Sequence, residues 1–208
     1  MDARIAVIYY SSTGNVHRLA EAFAQGAVDA GAAVRLRRVA ELAPDAAIDS
    51  NPRWRAHLSA TSHIELATHD DLRWANGYAF GTPTRFGNVS AQLRQFLDTT
   101  TALWQAEELA NKPATGFTGS HSTHGGQEST LLSLYNPLHH WGSIILPTGY
   151  LNYEVAVAAG GNPYGVSQVE ELAGDEQYVK AVLEAARYQG GRLARAADRL
   201  IPLRGDAA

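Results

Sequence analysis

Short apolar runs alternate with longer amphipathic stretches along the chain. Ile5 to Tyr10 is continuously apolar at strand length, the pattern of a strand buried on both faces. Val16, Leu19, Ala20, Phe23, Ala24 and Ala27 follow at offsets of 0, 3, 4, 7, 8 and 11, which is one stripe of a helix, and Gly31 ends it. Val34–Val39 predicts a second strand, Tyr78–Phe80 a third, Ala114–Phe117 a fourth, and Ser143–Leu146 a fifth stopped by Pro147. Between them, Val89, Leu93, Phe96 and Leu97 mark one helix, and Leu131, Leu134, Tyr135 and Leu138 mark another. A last helix is predicted from about Asp175 to Leu200, with Val179, Val182, Ala186, Leu193 and Ala197 inward. Residues 40–76 are polar and less regular, with Pro44, Pro52, Trp54 and Trp74. They predict a long irregular connection with a short helix around 52–58.

Strand and helix thus alternate five times. Parallel strands need crossover connections, so the pattern predicts an α/β fold with helices on both faces of a parallel sheet. No internal repeat, low-complexity tract or dividing linker interrupts it, and the 208 residues are expected to form a single domain. In such sheets ligands sit beyond the carboxyl ends of the strands, where strand order reverses. The segments after strands one, three and four are therefore the places to look for chemistry.

Composition narrows that chemistry. Lys plus Arg is 17 and Asp plus Glu is 21, a formal charge of −4, with no basic patch for a nucleic-acid backbone. Arg192, Arg195 and Arg199 read as a solvated helix face. Cysteine is absent, which excludes disulfides, thiolate nucleophiles and cysteine-held metal clusters. Any redox chemistry then needs an organic cofactor. No apolar run approaches the ~20 residues of a membrane helix, and the first residues lack a secretory core. A cytoplasmic location is the expectation.

Three loops carry the candidate site. After the first strand, Ser11, Ser12, Thr13, Gly14, Asn15 and Val16 lead straight into a helix. That end can bind a phosphate through its free amides and the helix dipole, without Lys or Arg; the plainer reading is helix capping. Neither GxxxxGK[ST] nor GxGxxG is present, so a mononucleotide phosphate fits better than a triphosphate or pyrophosphate. After the third strand, Pro83, Thr84, Arg85, Phe86 and Gly87 form a loop stiffened by proline. It either offers backbone amides to the edge of a polar ring or is a surface turn with a stray aromatic. After the fourth, Ser120, His121, Ser122, Thr123, His124, Gly125 and Gly126 form a long loop dense in glycine and hydroxyls. His121 and His124 are three residues apart, but without cysteine or a nearby acidic cluster a metal site is disfavoured. Glu128 reads as an early-helix acid. His139 and His140 point apart on their helix, so at most one reaches a common site. Trp104 is either a cover for a helix end or a flat neighbour for a planar ligand.

Beyond these readings, Gly81–Asn88, Leu97–Asp98 with Leu103–Trp104, His124–Glu128, His140, Pro147–Tyr150, Gly161–Gly165 and Ala186–Gly190 together resemble the WrbA family. These are flavodoxin-like, FMN-dependent NAD(P)H:quinone oxidoreductases, first named as tryptophan-repressor-binding proteins. The resemblance runs in order over nearly the whole chain. It implies a five-stranded parallel sheet of order 2-1-3-4-5 and a homotetramer assembled through the connection and the late loop. It also implies residue roles. Ser11–Val16 would hold the FMN phosphate, and Thr84, Arg85 and Phe86 would border the isoalloxazine. Ser120–Gly126 would cover the cofactor, and His140 would lie near the flavin ring. Trp104 would help form the nicotinamide and quinone pocket from across a subunit interface. Thr13 stands where the family commonly has an aromatic, so a stacking contact to NAD(P)H is lost or supplied elsewhere. The third loop is one residue longer than usual, with His121 and His124 where small residues are common, and residues 40–76 differ in length and composition.

The function so implied is hydride transfer from NAD(P)H to FMN and then to a quinone, two electrons at a time, with both substrates sharing one site and hence ping-pong kinetics. Two rivals stand beside it: a one-electron carrier and a flavin-binding regulator acting through protein partners. A carrier of that kind is usually smaller and more acidic.

Overall fold

The computed structural model describes residues 2–204. Its sheet is parallel throughout. In chain order come β1 (Arg4–Tyr9), α1 (Asn15–Asp29), β2 (Ala33–Arg38), α2 (Asp45–Asp49), α3 (Pro52–Ala60), α4 (His69–Trp74) and β3 (Gly77–Pro83). There follow α5 (Ala91–Asp98), α6 (Thr101–Gln105), β4 (Pro113–Ser120), α7 (Gln127–His140), β5 (Ile144–Ile145), α8 (Tyr153–Ala158), β6 (Val166–Val169) and α9 (Glu176–Arg199). Strand order is β2-β1-β3-β4-β5, the arrangement the resemblance implies, with β6 as a sixth strand also paired to β4.

β5 and β6 divide one edge between them. β5 pairs with Pro113 and Ala114 at the start of β4, and β6 pairs with Phe117 to Ser120 at its end. The fifth strand expected over 143–146 is therefore short, and the chain leaves the sheet, forms α8, and returns. The edge between the two is served by side chains instead. Gln189 of α9 donates to Thr115 Oγ1 (3.1 Å) and to the Leu146 carbonyl (2.8 Å), and the Tyr135 hydroxyl accepts from Gly116 N–H (3.3 Å) and donates to the Tyr164 carbonyl.

Two apolar clusters sandwich the sheet, as expected for strands buried on both faces. On one side Ile5, Val7, Tyr9 and Phe117 meet Leu19 and Phe23 of α1 and Val182 and Leu193 of α9. The Phe23 and Phe117 rings stack at 4.6 Å. On the other side Ile8, Tyr78 and Phe80 meet Leu93 and Leu97 of α5 and Leu131, Leu134 and Leu138 of α7. Helices α1 and α9 cross at van der Waals contact because glycine sits at the crossing on both. A Cβ on Gly26 would fall 1.9 Å from the Arg187 carbonyl oxygen, and one on Gly190 would fall 2.1 Å from that of Phe23.

The 40–76 connection is more regular than its sequence suggests: α2, α3 and α4 occupy much of it. Asn51 caps α3 by accepting from Arg53 N–H with Pro52 at the first helical position, and Thr68 and Asp71 form a reciprocal capping box on α4. Glu41 fastens the connection to the sheet. Its carboxylate accepts from Tyr10 Oη (2.8 Å), Trp54 Nε1 (2.9 Å), Gln92 Nε2 (2.9 Å) and the N–H groups of Leu42 and Ala43. Burial alone would raise this carboxyl, but the donors outweigh it and hold it below the usual carboxylate range. A depressed carboxyl contributes stability above its unfolded pKa of about 4.3 that is lost as pH falls through the folded value. Glu41→Gln should therefore lower the melting temperature at pH 7 by a few degrees, for about 1–2 kcal/mol lost, and flatten its decline below about pH 4.3. Parallel melting curves for the two proteins across pH 3–7 would refute the assignment.

Candidate functional site

The carboxyl ends of β1, β3 and β4 bring the three loops to one cleft of about 580 Å³, within the range of ~300–1,000 Å³ for cofactor sites. From the first loop it is lined by Ser11, Ser12, Thr13, Asn15 and Val16, and from the second by Pro83, Thr84, Arg85 and Phe86. Ser120, His121, Ser122 and Gly125 line it from the third. Gly14 and Gly126 are instead the N-cap residues of α1 and α7, at φ 102° and 89°. Gly87 sits behind the second loop at φ 74°, and Thr123 and His124 are exposed at the tip of the third.

Local chemistry fixes each loop. α1 begins with no side-chain cap and no acid in its first turn, which leaves its end electropositive. Ser11 Oγ accepts from Gly14 N–H (3.1 Å) and closes the turn. Thr84 ties the second loop to the third: its hydroxyl accepts from Gly87 N–H (3.2 Å) and from Thr130 Oγ1 (2.8 Å) and donates to the Gly125 carbonyl (3.2 Å). Arg85 reaches Ser12 Oγ at 3.3 Å. Phe86 adopts φ 52° with its side chain fully exposed. Gln127 holds the third loop from within, donating to Ser120 Oγ (2.6 Å) and to the carbonyls of Ser122 (3.2 Å) and Thr123 (3.0 Å).

Glu170 and Gln168 lie outside the three loops singled out in the sequence, whereas Gly119 and Gln127 flank the third. Gly119 and Glu170 line the cleft. Gln168, opposite Gly119 in β6, is buried, and neither end of its carboxamide has a partner among the described residues. Gln127 Oε1 is likewise buried and unpartnered there. Each such group costs about 1–3 kcal/mol unless something hydrogen-bonds to it. An uncapped helix end, three loops converging on one cleft and an uncovered ring at the rim fit a phosphorylated planar cofactor such as FMN. Glu170 meets Arg53 Nη1 at 2.8 Å and His121 Nδ1 at 3.5 Å. The Arg53 hydrogen bond, opposed by burial and aided by His121, holds the Glu170 carboxyl below its ordinary range. His121 thus lies against carboxylates, with Glu171 at 4.0 Å.

His140 and Trp104 are brought together, but elsewhere. Both line a hollow of about 460 Å³ between α5, α6 and the far end of α7, with Arg94, Asp98, Asn136 and Trp141. α7 begins beside the cleft at Gln127 and runs 14 residues back along the sheet, about 20 Å. Within one chain His140 therefore lines this hollow and not the three-loop cleft.

Residues 3–158 match the family described as NADPH-dependent FMN reductase. A protein of Deinococcus radiodurans named NAD(P)H dehydrogenase (quinone) is 43% identical over 79% of this chain and 82% of its own length. One of the same name from Geotalea daltonii is 41% identical over 97% of this chain and its full length. A solved structure described as a flavodoxin, WrbA-like protein from Agrobacterium tumefaciens superposes with a TM-score of 0.65 at 25% identity, covering 95% of this chain and 99% of its own. With a match across most of its length and relatives aligned from end to end, this chain belongs to the NADPH-dependent FMN reductase family.

Proposed function

We propose that the chain acts, as one flavodoxin-like unit, as an FMN-dependent NAD(P)H:quinone oxidoreductase. The observation that carries the reading is the convergence of the three loops on one cleft beside an uncapped helix end. Held there, FMN would supply the two-electron chemistry that couples NAD(P)H oxidation to quinone reduction. The residues do the rest. The first-turn amides of α1, with Ser12, Thr13 and Asn15, hold the phosphate. Thr84 sets the second loop against the third, Arg85 and Phe86 border the ring, and Ser120 to Gly126 close over it. The missing aromatic at Thr13 leaves room above the cleft. A second copy fills it: the chain works as a homotetramer, and Trp104 and His140, side by side in their own hollow, complete the cleft of a neighbour. The substrates place the reaction in the cytoplasm, where reduced nicotinamide nucleotides are held.

Steady-state turnover of NADH with benzoquinone on FMN-loaded protein tests this. Parallel double-reciprocal lines are expected, together with sedimentation as four copies. Intersecting lines would defeat the shared site, and absence of turnover would defeat the activity.

A further inference from the structure

Helix α3 carries two basic side chains, one packed against the first loop and one paired to a residue that lines the cleft. Arg53 and His57 are four residues apart and so lie on one face, a turn from each other. His57 packs under the first loop: its Nδ1 is 3.5 Å from where a Cβ on Gly14 would sit, and it shares a small hollow with Ser11. Arg53 reaches Glu170, which lines the cleft.

The Arg53 side chain is 64% exposed, and its partner Glu170 puts a negative charge where an anion would enter. His57 is held neutral: burial, and then His17, push it down to about 4. Its ring lies 5.3 Å from that of His17, which hydrogen-bonds Tyr9 Oη at 2.7 Å and faces Glu21 at 3.4 Å. Tyr10, Arg38 and Glu41 line the hollow around His57, and His63 lies close enough to act on His17. Among the described residues no carboxylate is ion-paired with His57, and Glu41, which lines the same hollow, is taken up by its own five donors, so an anion placed at the head of α1 would bring an uncommitted negative charge toward His57.

We propose that α3 is a wall of the phosphate subsite, where a bound phosphate monoester draws the Arg53 guanidinium away from Glu170 and a solvent proton onto His57, so that this end discriminates a phosphorylated flavin from its dephosphorylated form. The proposal rests on the reading that Ser11–Val16 takes the flavin phosphate. An exposed arginine exchanges one anion for another at little cost, and its planar fork suits phosphate. An opposite charge within a few ångströms favours the protonated imidazole.

The test compares FMN with riboflavin on flavin-free protein, by quenching of flavin fluorescence, with proton uptake read by calorimetry at pH 5.5 in two buffers of different ionisation enthalpy. Arg53→Gln should weaken FMN about tenfold and leave riboflavin within about twofold. Glu170→Gln, which frees Arg53 and removes the repelling carboxylate, should tighten FMN by about threefold, a change that damage to the fold does not produce. His57→Gln should take up fewer protons per FMN than the unaltered protein, a difference in which titration of the ligand's own phosphate cancels. Unaltered protein that binds neither flavin overturns the functional reading and this proposal with it. Unaltered protein that binds FMN, with an FMN-to-riboflavin ratio unmoved in Arg53→Gln and Glu170→Gln and proton uptake unmoved in His57→Gln, overturns the α3 proposal alone.

Discussion

Gly26→Ala should lower the melting temperature by about 6–12 °C. The added methyl lands 1.9 Å from a backbone carbonyl of α9, which cannot rotate out of the way. The helices must part, and parting loosens the layer that holds Phe23 and Leu193. Overpacking of this kind costs about 3 kcal/mol, and for a domain of this size each kcal/mol is worth about 2–4 °C. Gly174→Ala is the control: its Cβ would meet nothing within 4 Å, and a change within about 2 °C is expected. A Gly26→Ala protein that melts with the control would mean that α1 and α9 do not touch at this crossing.

Thr84→Val should weaken FMN about tenfold or more, or about 1.4 kcal/mol, while the protein stays folded. The substitution keeps the shape and removes the hydroxyl that accepts from Gly87 and Thr130 and donates to Gly125. The backbone bond from Thr84 N–H to the Gly119 carbonyl (2.8 Å) survives. The strand is therefore untouched and the register between the second and third loops is lost. A melting temperature lowered by a few degrees with unchanged FMN affinity would show that the hydroxyl serves the fold and not the cleft.

Much of this architecture is legible in the chain because long periodic segments report burial directly. The stripe from Val16 to Ala27 and the helix expected from Asp175 to Leu200 correspond to α1 and α9, and the five apolar runs to strands in the order 2-1-3-4-5. Short elements leave weaker marks. α2 and α4 are only five and six residues long, so they show no period, although Thr68 and Asp71 have capping-box spacing. The four residues of β6 follow a Gly-Asn-Pro-Tyr-Gly segment that reads as loop. The candidate site divides the same way. The loop residues belong to local motifs and are visible. Glu170 reaches the cleft, and Arg53, His57 and Gln168 approach its loops, through neighbours scores of residues away in sequence, and no spacing rule reaches that far. Within one chain His140 lines a different hollow from the loops, since nearness to a motif in sequence does not say which end of a helix faces a cleft.

The divided edge of the sheet gives the molecule a seam. β4 is satisfied at its start by β5 and at its end by β6, so the excursion of residues 146–165 lies outside every ladder. Its exposed tip around Gly149–Asn152 interrupts no strand, and lengthening an external loop carries only a slowly growing entropic cost. A reporter inserted there would leave the pairings of β4 with β5 and β6 intact, and its effect on assembly would read out whether this loop meets a neighbouring copy.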